Sequence, residues 1–98
     1  METIVVKNGK ASLMTDTGNL ICTVANDVKN AFPYIINEQV IITHTNGKVY
    51  LYTKGGNLLR LISENAESAV MDSNQILVKL INGKTEVRTM WGNMLRYL

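Results

Sequence analysis

Few residues of this chain combine the type and the spacing that catalysis or metal binding requires. His44 is the only histidine and Cys22 the only cysteine. A catalytic base needs a nucleophile or a carboxylate positioned beside it, and the sequence nominates none for His44. Cys22 has no second cysteine and no lysine-rich surroundings that would mark an activated thiol. We therefore expect a packed, hydrogen-bonded structural His44, and we interpret Cys22 as a small strand residue.

The acidic residues do not form a recognisable site. The eight Asp and Glu residues are dispersed along the chain, and no pattern matches a zinc or calcium ligand set or a phosphate-binding loop. An enzyme would need a site built from His44, Tyr50 and a carboxylate that the sequence does not place. We therefore predict a non-catalytic protein with no metal, no cofactor and no catalytic residues.

Composition limits the remaining classes of protein. The 98 residues suffice for a single domain over residues 1–98, and a domain of this size buries only about 60 to 65% of its unfolded surface, so a partner copy would stabilise it. The net charge is +2 and the basic residues are scattered singly, which argues against nucleic acid and membrane as partners. No apolar stretch reaches the length of a signal-peptide core or a membrane span. With a single cysteine, a cytoplasmic location is the default expectation.

Three related units account for the chain. The Asn-Gly-Lys landmarks are spaced 38 and 36 residues apart, at Asn8-Gly9-Lys10, Asn46-Gly47-Lys48 and Asn82-Gly83-Lys84. A Gly-Asn landmark begins nine residues after each of those glycines, at Gly18-Asn19, Gly56-Asn57 and Gly92-Asn93. An apolar residue closes each unit in the same register, at Val24, Ile62 and Leu98. The units cover approximately residues 1–24, 25–62 and 63–98, and such a period is typical of repeat folds.

Turn signals predict that each unit is a three-strand antiparallel meander. Asn-Gly between apolar runs favours a two-residue type I′ turn, because both residues tolerate positive φ. In the second unit, residues 40–45 should therefore pair with 48–53, and a glycine-rich turn should return the chain as a third strand at 58–62.

The connections between the units hold shorter apolar pieces. Residues 34–36 and 68–71 are candidates for a fourth strand. Pro33 favours an irregular structure for the first of these pieces, because proline cannot donate a ladder hydrogen bond.

Alternation along the strands predicts which side chains share a face. In the first strand of the units the residues that share one face are Ile4 and Val6, Ile42 and His44, and Val78 and Leu80. In the second strand one face carries Leu13, Leu51 and Val87, and the other carries Ser12 and Met14, Tyr50 and Tyr52, and Glu86 and Arg88. The middle unit is thus apolar on both faces, and the outer units turn a more polar set outward, as in a stacked array with capped ends.

This pattern resembles the blades of a β-propeller, in which four antiparallel strands radiate from a central channel. The resemblance covers the whole chain, although the Gly-His and Trp-Asp pairs of WD-repeat blades are absent. It implies an all-β fold of antiparallel meander repeats that forms a propeller-like half-ring. Propellers have about four to eight blades, so two copies would close a six-blade ring by dimerisation. Glu86 and Arg88 count against a tight apolar seam and leave an open stack as an alternative, and a β-trefoil-like arrangement is another.

Two apolar patches are candidate contact surfaces. Met90 and Trp91 lie at a turn tip whose counterparts in the other units are polar residues or glycine. Such residues suggest that a partner covers them, since Trp is enriched in binding hot spots, although they could instead fold back over the final strand. Phe32 and Tyr34, in the longest connection, form the second patch, with internal packing as the alternative.

Basic residues provide one further candidate surface. Lys10, Lys48 and Lys84 each follow a hairpin turn and would form a regular, anion-facing array for an acidic partner. Turn chemistry explains the neighbouring Asn-Gly pairs without any ligand. Arg60 and Arg96 lie on the last strands, where positive charge discourages edge-to-edge aggregation.

Together these features favour a non-catalytic protein-interaction or assembly module. We expect it to self-associate as a homo-oligomer, with a dimer favoured, and to bind a protein partner that the sequence does not identify. The alternative is a small lectin-like module that binds a carbohydrate ligand in equivalent pockets between units. Trp91 counts against that alternative, because it has no aromatic counterpart in the other units.

Overall fold

The fold consists of β-strands joined by short turns. The computed structural model describes residues 2–98, and within that range it has eleven strands and no helix. The strands are β1 Thr3–Lys7, β2 Lys10–Met14, β3 Leu20–Ala25, β4 Val28–Ala31, β5 Gln39–His44, β6 Val49–Thr53, β7 Leu58–Ser63, β8 Ala66–Asp72, β9 Gln75–Leu80, β10 Thr85–Thr89 and β11 Met94–Tyr97. They are rich in β-branched residues, which suit a pleated, half-buried surface.

The strands form three antiparallel sheets. The first sheet contains β1 to β3, the second β4 to β7 and the third β8 to β11. Within each sheet, strands that are consecutive in the chain are hydrogen-bonded neighbours. The strands β4 and β8 open the second and third sheets, and among the described residues the first sheet has no counterpart of them. The predicted all-β fold of antiparallel meanders is therefore confirmed.

The three sheets stack face to face, and we call each contact between two stacked sheets a seam. The first seam, between the first and second sheets, buries Ile4, Ala11, Leu13, Val24, Ala25, Val28, Val40 and Ile42. The second seam, between the second and third sheets, buries Ile41, Val49, Leu51, Ile62, Ala66, Ala69, Met71, Ile76, Val78 and Leu80. The middle sheet contributes to both seams because its side chains alternate between its two faces.

The same backbone hydrogen bond recurs at both seams. The N–H group of Val28, at the start of β4, donates to the carbonyl of Gly9 at 2.8 Å. The N–H group of Ala66, at the start of β8, donates to the carbonyl of Gly47 at the same distance, 2.8 Å. The first strand of each four-stranded sheet is thus tied to the hairpin of the preceding sheet.

The Asn-Gly hairpins are of two kinds. Asn8 and Gly9 form the predicted two-residue turn, with φ values of 55° and 73°. In the second sheet the turn is one residue longer, because the His44 N–H donates to the Lys48 carbonyl at 2.9 Å, and the third sheet repeats this bond. Only the glycine has positive φ in these two turns, which is typical of a three-residue loop ending in a G1 bulge. The predicted turn is therefore right for the first unit and wrong for the other two.

The shorter first turn shifts β1 by one residue relative to its counterparts. Ile4 lies opposite the core leucine of β2, as Ile41 lies opposite that of β6. Ile4 thus corresponds to Ile41, and Val5 takes the position of Ile42. The predicted equivalence of Ile4 with Ile42 is wrong, because a one-residue shift moves every side chain of a strand to the opposite face.

The two candidate fourth strands have different outcomes. Residues 68–71 lie within β8, as predicted. Residues 34–36 are not a strand, and the strand of that connection is β4, which ends before Pro33. Pro33 instead offers its carbonyl to the N–H group of Ile4 at 3.0 Å, which occupies part of the open edge of β1.

Glu86 and Arg88 do not face outward as predicted. Glu86 lies opposite Val78 and Arg88 lies opposite Ile76 across the ladder, and both of those partners are buried in the second seam. Side chains on paired residues share a face of the sheet, so Glu86 and Arg88 point toward the second sheet. The polar pair therefore does not cap the outer face of the third sheet.

Glycine allows the tips of two turns to approach the preceding sheet. A Cβ atom on Gly56 would lie 3.2 Å from the Thr23 carbonyl oxygen, and one on Gly92 would lie 3.1 Å from the Leu61 carbonyl oxygen. Both positions have positive φ, 96° and 89°. The glycine of the Gly-Asn landmark therefore has two roles. It adopts the positive φ that the turn requires, and it lets the turn approach the neighbouring sheet at a seam.

We predict that Gly92→Ala destabilises the fold more than Gly83→Ala. The two glycines have nearly equal φ values, 89° and 90°, so each alanine adds about 1 to 2 kcal/mol of backbone strain. Only at Gly92 does the new Cβ meet a neighbouring strand, whereas nothing lies within 4 Å at Gly83, so Gly92→Ala should cost about 1 to 3 kcal/mol more. Urea unfolding measures both variants, and equal losses would show that the turn tip does not seal the second seam.

Candidate interaction surfaces

Trp91 and Met90 lie at the β10–β11 turn and differ in burial. Met90 packs against the second seam, and its carbonyl accepts a hydrogen bond from the Arg60 guanidinium at 2.8 Å. Trp91 is 72% exposed, and the Arg60 guanidinium carbon lies 4.3 Å from its ring centroid. Arg60 of β7 thus holds the tip in place, while the outer face of the indole stays open to solvent.

Phe32 and Tyr34 lie just after β4 and also differ from each other in burial. Phe32 packs against the same buried cluster as Met90, whereas Tyr34 is 54% exposed. The two rings meet edge to face with their centroids 5.5 Å apart. Alternate strands of a meander run in the same direction, so β4 and β10 end at the same side of the stack. We call Phe32, Tyr34, Met90 and Trp91 the aromatic rim.

The three lysines that follow the Asn-Gly turns lie at the opposite side of the stack from the aromatic rim. Lys10 and Lys84 are exposed and Lys48 is half-buried. The Lys84 ammonium lies 5.5 Å from the ring centroid of Tyr97, so this lysine has a partner within the chain. An anion-facing role for the array stays a prediction.

His44 is hydrogen-bonded, as expected from the sequence. Its Nε2 atom lies 2.8 Å from the Tyr52 hydroxyl, and its Nδ1 atom lies 3.2 Å from the Asp27 carbonyl oxygen. The Tyr50 ring packs edge to face on the imidazole, with the centroids 5.5 Å apart. Burial raises the pKa of Tyr52, and the nearby Tyr50 adds to the effect. This aromatic cluster fills the side of the first seam where β6 faces the first sheet.

Glu86 is the centre of a polar network in the second seam that the sequence did not reveal. Its buried carboxylate accepts hydrogen bonds from the Ser63 hydroxyl at 2.6 Å and from Arg88 Nε and Nη2 at 2.9 and 3.0 Å. Arg88 also donates to the Gly92 carbonyl at 2.8 Å. Hydrogen bonding to Arg88 lowers the pKa of Glu86 against the opposing effect of burial, and Ser63 contributes in the same direction.

A cleft of about 560 Å³ opens beside this network, between β7 and the third sheet. Asn65, Asn82 and Tyr97 contribute polar groups to its wall, together with Glu86 and Arg88. At the equivalent positions of the first seam, the rings of the His44 cluster occupy the space between the sheets. One feature of the sequence points to this network. Glu86 and Arg88 stand where the second unit has Tyr50 and Tyr52, and opposite charges two residues apart on a strand predict an ion pair on one face.

The two end faces of the stack expose residues whose counterparts are buried in the seams. Val5 is 44% exposed, whereas Ile42 and Val78 at the equivalent positions are fully buried. Leu98 is 73% exposed, whereas its counterparts Val24 and Ile62 are buried.

Leu98 does not owe its exposure to a displaced backbone, because its N–H group continues the ladder with a 2.9 Å bond to the Thr85 carbonyl. The shared position of Val24, Ile62 and Leu98 could be read from the sequence. The position of Val5 could not, because the shorter first turn conceals its equivalence to Ile42.

Within residues 2–98, no group of three or more His, Cys, Asp or Glu side chains is placed to hold a metal ion, and no helix has the length and apolarity to cross a membrane. Comparison of the sequence with protein-family models found no match, and a search of curated proteins found none either.

We predict that Glu86→Gln destabilises the fold and weakens its pH dependence. The amide leaves the Arg88 charge without its partner in the seam, which should cost about 2 kcal/mol at pH 7. Because the folded state lowers the pKa of Glu86, the wild-type carboxylate contributes stability above its unfolded pKa and loses it as the pH falls through the folded pKa. Urea unfolding at pH 7 and pH 3 should therefore show a smaller acid loss in Glu86→Gln.

The exposed Glu67 supplies the matched control for this measurement. Glu67→Gln should keep both the wild-type stability and the wild-type acid loss. Equal behaviour of the two variants would mean that the Glu86 network does not stabilise the second seam.

Proposed function

We propose that this chain is a non-catalytic assembly and protein-interaction module that self-associates. The observation that carries the proposal is the exposure of Val5 and Leu98 at the two ends of the stack, at positions that are buried wherever two sheets meet. A β-sheet with an apolar face is stable only when another layer covers that face. A small domain also gains more than a large one from a partner, because it buries a smaller share of its own surface.

The outer face of the third sheet supports the same proposal. Paired residues place Val70, Leu77, Val87 and Arg96 in one row across it. The corresponding row of the second sheet holds Ile41, Leu51 and Arg60, and its Ile41 and Leu51 are buried against the third sheet. The third sheet thus carries a row of the type that forms a seam inside the chain, and within this row Val70 and Arg96 are exposed whereas Val87 is buried.

The aromatic rim is the surface that we propose for a protein partner other than a second copy. Trp91 and Tyr34 project at one side of the stack, while Met90 and Phe32 anchor them in the core. An exposed Trp on a rigid base has the properties of a binding hot spot, because little side-chain entropy is lost when it is covered. A reducing compartment such as the cytoplasm fits the single thiol, Cys22, which donates to the Lys54 carbonyl at 3.4 Å.

A second candidate function is the binding of a small polar ligand, such as a carbohydrate, in the cleft beside Glu86. The cleft of about 560 Å³ lies in the size range of ligand pockets, about 300 to 1,000 Å³. Tyr97 offers a half-exposed ring and Asn82 an amide at its wall. In the first seam the rings of Tyr50 and Tyr52 stand at the positions of Glu86 and Arg88 and pack with His44, which favours a single pocket over the repeated pockets of the lectin-like alternative.

Solution mass tests the assembly proposal. Light scattering on a size-exclusion column should give twice the 10.9 kDa chain mass across a hundredfold dilution, because a second copy would cover the exposed Val5 and Leu98 of the end faces. Trp91→Ala should keep that mass, since the aromatic rim lies off the end faces. A wild-type chain that is monomeric at every concentration would overturn self-association.

A glycan array and calorimetry test the ligand alternative. If the cleft binds a sugar, wild-type protein should give hits that Tyr97→Ala and Glu86→Gln both lose while the Tyr34→Ala control keeps them, because Tyr34 lies outside the cleft. An array without hits above background, or hits that survive Tyr97→Ala, would remove the cleft as a carbohydrate site.

A further inference from the structure

We propose that the two end faces bind each other, so that the first sheet of one copy packs on the outer face of the third sheet of a second copy and reproduces the seams found within the chain. This inference rests on the proposed function. It adds which two faces meet, which residues lie opposite each other, and how many copies close the assembly. Two copies related by a twofold axis would form two such contacts and enclose six sheets. Both internal seams share three kinds of contact, and the end faces carry residues at the corresponding positions.

The first kind of contact is a hydrogen bond from the last strand of a sheet to a turn of the next. In the first seam Cys22 Sγ donates to the Lys54 carbonyl at 3.4 Å, and in the second Arg60 Nη1 donates to the Met90 carbonyl at 2.8 Å. Arg96 holds the position of Cys22 and Arg60, since it too lies opposite the core residue of the preceding strand. Asp16 holds the position of Lys54 and Met90. The expected bond across copies runs from the Arg96 guanidinium to the Asp16 carbonyl.

The second kind of contact is the close approach of a turn glycine to a strand carbonyl. Gly56 approaches Thr23, and Gly92 approaches Leu61. Gly18 is the third member of this set, with φ of 89°, and nothing lies within 4 Å of its Cβ position. Tyr97 is the third member of the carbonyl set. Gly18 of one copy should therefore lie against the Tyr97 carbonyl of the other.

The third kind of contact is apolar. Val24 and Ile42 are buried together in the first seam, and Ile62 and Val78 are buried together in the second. The corresponding pair, Leu98 and Val5, consists of one residue from each end of the chain, and both are exposed.

A groove of about 400 Å³ crosses the free face of the first sheet beside Val5 and is lined in part by Ser12 and Met14. The incoming third sheet would fill this groove.

The contact joins two different faces, so its symmetry decides the size of the assembly. A head-to-tail contact forms a ring if its rotation closes and an open fibre if it does not. Three sheets are too few for a propeller ring, and six lie within the usual range of about four to eight. Closure at two copies also leaves neither end face exposed, which removes the hazard of open-ended association.

A charge-exchange experiment tests the register. Val5→Glu and Leu98→Lys should each be monomeric by light scattering, with the dissociation constant of the dimer raised more than about a hundredfold, because each puts a charge into an apolar contact. Mixing the two variants should restore a dimer, since one contact is then native and the other pairs Glu with Lys.

Exposed leucines supply the matched controls. Leu20→Glu and Leu95→Lys should stay dimeric, because their counterparts at the internal seams, Leu58 and Leu59, remain exposed. The proposed register would be overturned if Val5→Glu and Leu98→Lys were each dimeric alone, or if mixing the two monomeric variants did not restore a dimer. In either case a dimeric wild type would still support self-association. A monomeric wild type would overturn both.

A disulfide trap provides a second test that does not depend on a charged variant. In a Cys22→Ser background, Asp16→Cys with Arg96→Cys should oxidise to a covalent species of two chains, which denaturing electrophoresis detects. The reference is Arg60→Cys with Met90→Cys in the same background, which should form the equivalent bridge within one chain. Failure of the first pair where the reference pair closes would overturn the contact, and a ladder of larger covalent species would overturn closure at two copies.

Discussion

The structure depends on the need to cover both faces of every sheet. Side chains alternate along a strand, and in this chain both sets are apolar in the middle sheet, with Ile41 and Ile42 directed to opposite seams. A sheet of this kind cannot remain a surface layer, because either open face would expose apolar area to water. Stacking three meanders covers both faces of the middle sheet. It leaves each of the two outer sheets with one face that no other sheet of the chain covers.

The seams are held by backbone contacts as much as by side chains. Gly56 and Gly92 let a turn tip touch the carbonyl of the preceding sheet, and Val28 and Ala66 bond to the preceding hairpin. Such contacts depend on backbone position and on the absence of a Cβ atom, so they recur even where side chains differ. The seams can therefore accommodate an aromatic cluster around His44 in one case and an ion pair around Glu86 in the other. Every buried polar side-chain atom of residues 2–98 has a hydrogen-bond partner, so neither variation leaves an unsatisfied group.

The orientation of the polar network also affects the surface that is available for self-association. Glu86 and Arg88 were expected on the outer face, where two charges would have opposed an apolar contact. They point instead into the second seam, where Ser63 and Gly92 complete their hydrogen bonds. The outer face is left with the apolar residues Val70, Leu77, Val87 and Leu98, and Asp72, Lys79 and Arg96 are its charged residues.

The sequence by itself determined the β-strand class, the meander order and the positions of the turns, because Asn-Gly and Gly-Asn signals act over a few residues and apolar alternation has a fixed period of two. It also placed Met90 and Trp91 at a turn tip and Leu98 in register with Val24 and Ile62. Only the tertiary structure decided the face of β1, since one residue more or less in a hairpin reverses every side chain. It also decided that Met90 is anchored while Trp91 is exposed, and that Glu86 is buried. These outcomes depend on which sheet lies opposite, and contacts between residues far apart in the chain leave no local signal in the sequence.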